Sequence, residues 1–241
     1  MAEQLLSRAG APALLRTALL QLLEARPQEP VRFLEELFEG LSQGAPGAIG
    51  PERALWYLRL APHCRRTAFN NNVSLAYECL CAGGRKKKPG LNGRTYGDLL
   101  SRLCKEGAAP VEVIAPLLKK IQCRDHEAVP FEIFRYGTLT CFVLLEYLAK
   151  AGALYDLLND SGEVDERICM AILETLEEVL EASDCCVPAS YLEAGTKLGP
   201  DGLVLAMDKA LLAKKPTSTM QRGQFLLKSA ALFLAKVKPI N

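Results

Sequence analysis

The chain has 241 residues, of which 49% are hydrophobic and 24% charged, with a formal net charge of +1. That length supports one large domain or two small ones with a sizeable core. The near-neutral balance excludes a protein that binds nucleic acid over its whole surface. Leu and Ala dominate at helical spacing, and no sustained alternation rich in Val, Ile and Thr occurs. The expected fold class is therefore all-α: an N-terminal two-helix docking hairpin followed by an irregular multi-helix bundle.

Residues 14–24 and 31–41 read as two short amphipathic helices joined by Arg26-Pro27-Gln28-Glu29-Pro30. Leu14, Leu15, Ala18, Leu19, Leu22 and Leu23 fill one half of the first. Val31, Phe33, Leu34, Leu37, Phe38 and Leu41 fill one half of the second, and Arg32, Glu35, Glu36 and Glu39 the other. Two helices of about three turns cannot bury such wide stripes against one another alone. A partner, or the rest of the chain, has to complete them. Leu15, Leu19, Leu22, Leu23, Phe33, Leu34, Leu37, Phe38 and Leu41 are the candidate partner-docking residues.

Gly44 to Gly50 reads as a linker, which divides the chain into a hairpin domain over 1–44 and a helical body over 51–241. Pro51 suits a first helical turn. Helices are expected over 54–60, 64–81, 95–105, 111–121 (kinked at Pro116), 131–150, 164–182, 191–196, 201–212 and 219–236. The triplet Asn70-Asn71-Asn72 reads as a local bend satisfied by its own side chains or, alternatively, as a hydrogen-bonded contact with a partner backbone. The glutamates at 174, 177, 178 and 181 form one acidic side of their helix, either solvated or attractive to a basic partner.

Chemistry is sparse. Neither Gly-x-x-x-x-Gly-Lys-Ser/Thr nor Gly-x-Gly-x-x-Gly occurs, and Gly-x-Ser-x-Gly is absent as well. Arg124-Asp125-His126-Glu127 clusters catalytic residue types but fits a turn better. Nine cysteines at irregular spacing, with two histidines near no Cys pair, read as reduced thiols in the core and not as a metal site. We expect no catalytic residue, cofactor site or metal ligand set. The start lacks a basic n-region, and the longest uncharged helical stretch, 136–145, is about half a bilayer span. A soluble, intracellular protein without membrane contact is expected. Arg85, Lys86, Lys87 and Lys88, with Arg94 nearby, form a basic loop that attracts acidic surfaces. No aromatic residue interleaves the basic run, which argues against nucleic acid.

Several strings carry a family resemblance: Ala54-Leu55-Trp56-Tyr57-Leu58-Arg59-Leu60-Ala61, the run 68–80, Gly93-Arg94-Thr95-Tyr96, and the runs 122–130, 137–146 and 235–239. Together they resemble the subunit 1 family of the tubulin polyglutamylase complex. The resemblance implies a non-catalytic scaffold. Its complex uses ATP to add glutamate chains to tubulin tails, through a separate subunit similar to tubulin–tyrosine ligase. It further implies other complex subunits and tubulin or microtubules as partners. The implied locations are the cytoplasm and cytoskeleton: centriolar satellites, cilium basal bodies, and axonal and flagellar microtubules. On this reading the basic loop steers an acidic tubulin tail. Family members carry a longer lead before the position of Leu14, so targeting information there is expected to be missing or relocated. Separately, Arg26-Pro27-x-x-Pro30-x-x-Phe33-Leu34-x-x-x-Phe38-x-x-Leu41 resembles the dimerisation/docking fold of protein kinase A regulatory subunits, in which two hairpins form a four-helix bundle that binds a partner helix. The pattern leaves open whether the hairpin pairs with itself or with another subunit. It also leaves open a docking adaptor for a kinase-anchoring or chromatin complex.

Overall fold

The computed structural model describes residues 11–43, 50–82, 90–158, 164–181, 200–212 and 218–240. The expected linker at 44–49 and the short helix at 191–196 lie outside the described residues. The chain forms two compact units: residues 1–95 with 128–131, and residues 96–127 with 132–241. Among the described residues the regular structure is helical, apart from one two-residue antiparallel ladder and an isolated bridge between Asn92 and Ala128, as an all-α fold requires. No helix among them is long and apolar enough to cross a membrane.

The first unit begins with α1 (Ala11–Ala25) and α2 (Pro30–Gln43). Arg26 ends α1 in the left-handed conformation (φ 43°), and its N–H donates to the Leu22 carbonyl at 2.9 Å. Pro30 then opens α2, where a missing N–H costs nothing. Next come α3 (Gly50–Arg59) and α4 (Arg66–Ala82). They pack through Ala54, Leu55 and Leu58 on α3 and Phe69, Val73, Ala76 and Leu80 on α4, all buried.

The Asn70-Asn71-Asn72 triplet does not bend the chain, because α4 runs straight through it. Its flanking apolar residues bury one face, and that burial overrides a weak propensity. Asn72 is buried, and the Asn71 amide donates to Glu24 of α1 at 3.1 Å. Residues 128–131 return to this unit: Val129 N–H donates to the Leu91 carbonyl (2.9 Å), and the Tyr77 hydroxyl donates to the Val129 carbonyl (2.8 Å).

The second unit holds most of α5 (Gly93–Glu106), then α6 (Val111–Ile121) and α7 (Phe131–Leu158). Asn92 caps α5 by accepting from Thr95 N–H at 2.8 Å. Tyr96, Leu99, Leu100, Leu103 and Cys104 are buried along one stripe of it. α6 continues through Pro116. Residues 124–127 form an exposed turn in which Glu127 N–H donates to the Arg124 carbonyl at 2.9 Å.

α7 spans 28 residues. Its Gly137 lies against the Tyr96 ring, where a Cβ would collide with the phenol oxygen. That hydroxyl donates to the Ile133 carbonyl at 3.1 Å, and burial raises its pKa well above the ordinary phenol value.

Two-residue strands β1 (Val164–Asp165) and β2 (Thr219–Met220) pair Val164 with Met220. They join α8 (Glu166–Glu181) and α10 (Arg222–Lys236) in one core, to which Tyr155, Cys169, Ile172, Leu173 and Phe225 belong. α9 (Pro200–Leu212) packs along α8. The end of α10 is clasped by Lys120, whose ammonium donates to the carbonyls of Leu234 (2.6 Å) and Val237 (3.2 Å). A cation at that pole also meets the negative end of the helix dipole.

The described cysteines are free thiols, and Cys104, Cys123, Cys141 and Cys169 serve as core residues. Burial, aided by the carboxylates of Asp165 and Glu166, pushes the Cys169 thiol up to about 11.

Candidate docking surface

α1 is apolar around more than half of its circumference, and the unit uses only part of it. Ala18 and Ala25 are buried, at 1% and 6% exposure. With Phe33, Ala61 and Ala68 they form a small cluster, to which Leu22 and Leu60 are added half-buried. At about 100° per residue, Leu15, Leu19 and Leu23 fall on a different side of α1, with Leu20 beside them. These four are 52%, 54%, 68% and 51% exposed. Two alanines of α1 are thus buried, while four of its leucines are largely open to water. Exposed Arg16 lies within the same arc.

α2 divides the same way. Phe33 and Leu37 are buried in the chain itself, at 9% and 1%. Leu34 and Phe38 are half-buried, and Val31 is 80% exposed. The side chain of Leu41 lies outside the described residues. Within the docking set, then, Leu15, Leu19 and Leu23 are the residues most open to a neighbour. Leu20 is not in that set, because it lies just past the edge of the apolar stripe. Its signal was present in the unbroken pair Leu19-Leu20.

Arg85, Lys86, Lys87 and Lys88 lie outside the described residues, while Arg94 is exposed at the start of α5. Among the described residues no group of three or more His, Cys, Asp or Glu side chains is placed to hold a metal ion. The shortest described ion pair, Arg167 with Asp165 at 2.6 Å, is local. Asp165 also accepts the Arg167 N–H at 2.9 Å and so caps α8. The Arg167 hydrogen bonds hold its carboxyl below the usual range.

The chain matches the family model for the C-terminal part of tubulin polyglutamylase complex subunit 1-like proteins over residues 50–238. It is also 56% identical to human tubulin polyglutamylase complex subunit 1, across 99% of this chain and 88% of the human one. The chain belongs to the tubulin polyglutamylase complex subunit 1 family. The family model begins at Gly50, the first residue of α3, whereas the alignment with the human relative takes in α1 and α2 as well. No solved structure matches the chain.

Proposed function

We propose that this family member is a non-catalytic scaffold subunit of a tubulin polyglutamylase complex. In this reading the exposed leucines of α1 take a helix from another subunit, in the manner of a dimerisation/docking hairpin. The remaining helices position a tubulin–tyrosine-ligase-like subunit for glutamate addition to tubulin tails. The observation that carries the reading is the outward face of α1: Leu15, Leu19, Leu20 and Leu23 stand open, in a chain 56% identical to a human subunit of that name. The scaffold role agrees with a sequence that contains no glycine-rich phosphate loop. In this reading the hairpin at 1–44 is the docking element and the body at 51–241 the scaffold, with the hairpin seated on the body through the core that Ala25 and Phe33 share with Ala61 and Ala68. The working locations are cytoplasmic and cytoskeletal, at centriolar satellites, basal bodies and the microtubules of axons and flagella.

Affinity purification from cells expressing the tagged chain tests this. Ligase-like subunits should be recovered with the wild type and lost with Leu19→Asp/Leu23→Asp. Full recovery with that variant would remove the docking face, and recovery of kinase anchors or histone-modifying proteins instead would favour the adaptor reading. Glutamylation of tubulin by the purified chain alone, given ATP and glutamate, would overturn the non-catalytic assignment. The basic loop has its own test. Lys86→Glu/Lys87→Glu/Lys88→Glu should weaken microtubule co-sedimentation while leaving the complex assembled, and unchanged association at low salt would end that part of the reading.

A further inference from the structure

Two thiols meet in the core of the second unit. Cys104 of α5 and Cys141 of α7 are both 0% exposed, and their side chains are hydrogen-bonded to each other. They sit on a seam along which the two helices approach closely. One turn earlier on each helix, Leu100 lies against Gly137, where an added Cβ would come within 3.4 Å of the leucine Cδ1. About one turn later, Gly107 leaves room for Leu145, whose methyl groups a Cβ there would strike. The sulfur pair is thus held between two contacts that glycine makes possible.

Burial alone would make such thiols inert. Cys104, however, lies in the last turn of α5, which ends at Glu106. That turn is closed by Ala108 in the left-handed conformation (φ 58°), a position that glycine fills without strain and alanine does not. The Ala108 N–H donates to the Lys105 carbonyl (3.1 Å), and the Ala109 N–H donates to the Cys104 carbonyl (3.0 Å). Lys105, Glu106, Gly107 and Ala108 are exposed. A strained cap at an exposed helix end opens readily, and its opening uncovers Cys104 to a molecule the size of water. Cys141, inside α7, keeps its place. The hydrogen bond from the Cys141 thiol lowers the Cys104 pKa against the effect of burial, while that bond and burial together push Cys141 well above the ordinary thiol value. Cys104 is therefore the sulfur that ionises first.

We propose that Cys104 and Cys141 form a reversible disulfide between α5 and α7, made by hydrogen peroxide and undone by a dithiol. The Cys104 thiolate attacks one peroxide oxygen and the O–O bond breaks. The sulfur becomes a sulfenic acid, and the departing hydroxide takes up the proton that the thiol released, giving water. The Cys141 sulfur then attacks the Cys104 sulfur and the S–O bond breaks. Hydroxide leaves and takes the Cys141 proton, giving a second water. Two thiols and one peroxide become one disulfide and two waters. An opening of one helical turn admits peroxide, whereas a bulky disulfide oxidant does not fit. The bridge pins the end of α5 to α7 and closes a loop that contains α6.

The test treats the reduced full chain with hydrogen peroxide and then alkylates the remaining thiols in denaturant. Peptide mapping by mass spectrometry should join the Cys104 and Cys141 peptides, and dithiothreitol should separate them again. The oxidised chain should melt several degrees higher than the reduced one. Cys141→Ser should leave Cys104 as a sulfenic acid that dimedone labels, whereas Cys104→Ser should leave Cys141 unlabelled. Ala108→Gly keeps both thiols and relieves the strained cap, so it should slow bridge formation by about two- to fivefold. Peroxide that leaves both cysteines open to alkylation in the wild type overturns the proposal. So does a bridge from either one to a different cysteine in place of this pair, or an oxidised chain that melts no higher. Dimedone labelling confined to Cys141, or an Ala108→Gly chain that oxidises as fast as the wild type, overturns it too.

Discussion

Leu19 and Leu37 lie in adjacent helices of the same hairpin, and their substitution should have opposite effects. Leu37 is 1% exposed and Leu19 54% exposed. Leu37→Ala removes a core side chain and leaves a cavity, a loss of about 2–5 kcal/mol. For a chain of this size that lowers the melting temperature by roughly 2–4 °C per kcal/mol. Leu19→Asp removes little from the isolated chain. Its cost is the lower helix propensity of aspartate, about 0.5 kcal/mol, and a surface effect of similar size. Binding reverses the order. A partner that covers the open half of Leu19 gains about 1–1.5 kcal/mol from it. An aspartate there loses that gain and buries a carboxylate without a counter-charge, at a cost of several kcal/mol more. At 1.4 kcal/mol per factor of ten, association should weaken on the order of a thousandfold. Thermal melts of the isolated chain, paired with quantitative co-purification, read both effects. If Leu19→Asp melts as low as Leu37→Ala, or captures its partners undiminished, the leucine face is not a docking face.

Gly137→Ala should destabilise the chain by about 1–3 kcal/mol in urea unfolding, because the new Cβ meets the buried Tyr96 phenol, which has no room to retreat. Gly97→Ala, a helix position with nothing within 4 Å of the new methyl, should stabilise it by about 0.5–1 kcal/mol. Lys120→Met removes both carbonyl contacts at the end of α10 and should cost about 1–2 kcal/mol, with faster amide exchange over residues 234–240 as the local readout. Asp165 has a folded pKa below its unfolded one, so its ion pair stabilises the fold above the ordinary carboxylate pKa and loses that contribution as pH falls through the lowered value. The stability gap between wild type and Asp165→Asn, open at pH 7, should therefore close below about pH 4.

The helices legible in the sequence were those with a clear period and a proline or glycine at their ends. α6 was read with its bounds unchanged, between Pro110 and Gln122. α7 was read to Lys150 but continues to Leu158, because Ala151-Gly152 resembles a stop. Gly152 is there for proximity: a Cβ would come within 2.5 Å of the Arg222 guanidinium, which pairs with Asp156 one turn on at 2.8 Å. A glycine that admits a neighbour and one that ends a helix look alike until the neighbour is known. β1 and β2 were missed because two residues cannot show a period of two. The asparagine triplet was misread as a bend because local propensity is weak against a buried face, and Asn71's bond to Glu24 joins residues 47 positions apart.

The hairpin shows a subtler limit. Periodicity locates apolar positions but does not say which of them face inward, and on α1 it does not distinguish the buried alanines from the open leucines. Burying a leucine in place of an alanine would add roughly 2 kcal/mol to the unit's own stability. α1 instead turns Ala18 and Ala25 inward and leaves Leu15, Leu19, Leu20 and Leu23 largely in water. In the proposed docking reading, association with another subunit recovers that apolar surface. Exposed Arg16 lies within the same arc. In the proposed reading, a partner helix that sets an acidic residue opposite Arg16 therefore fits this face better than a basic one.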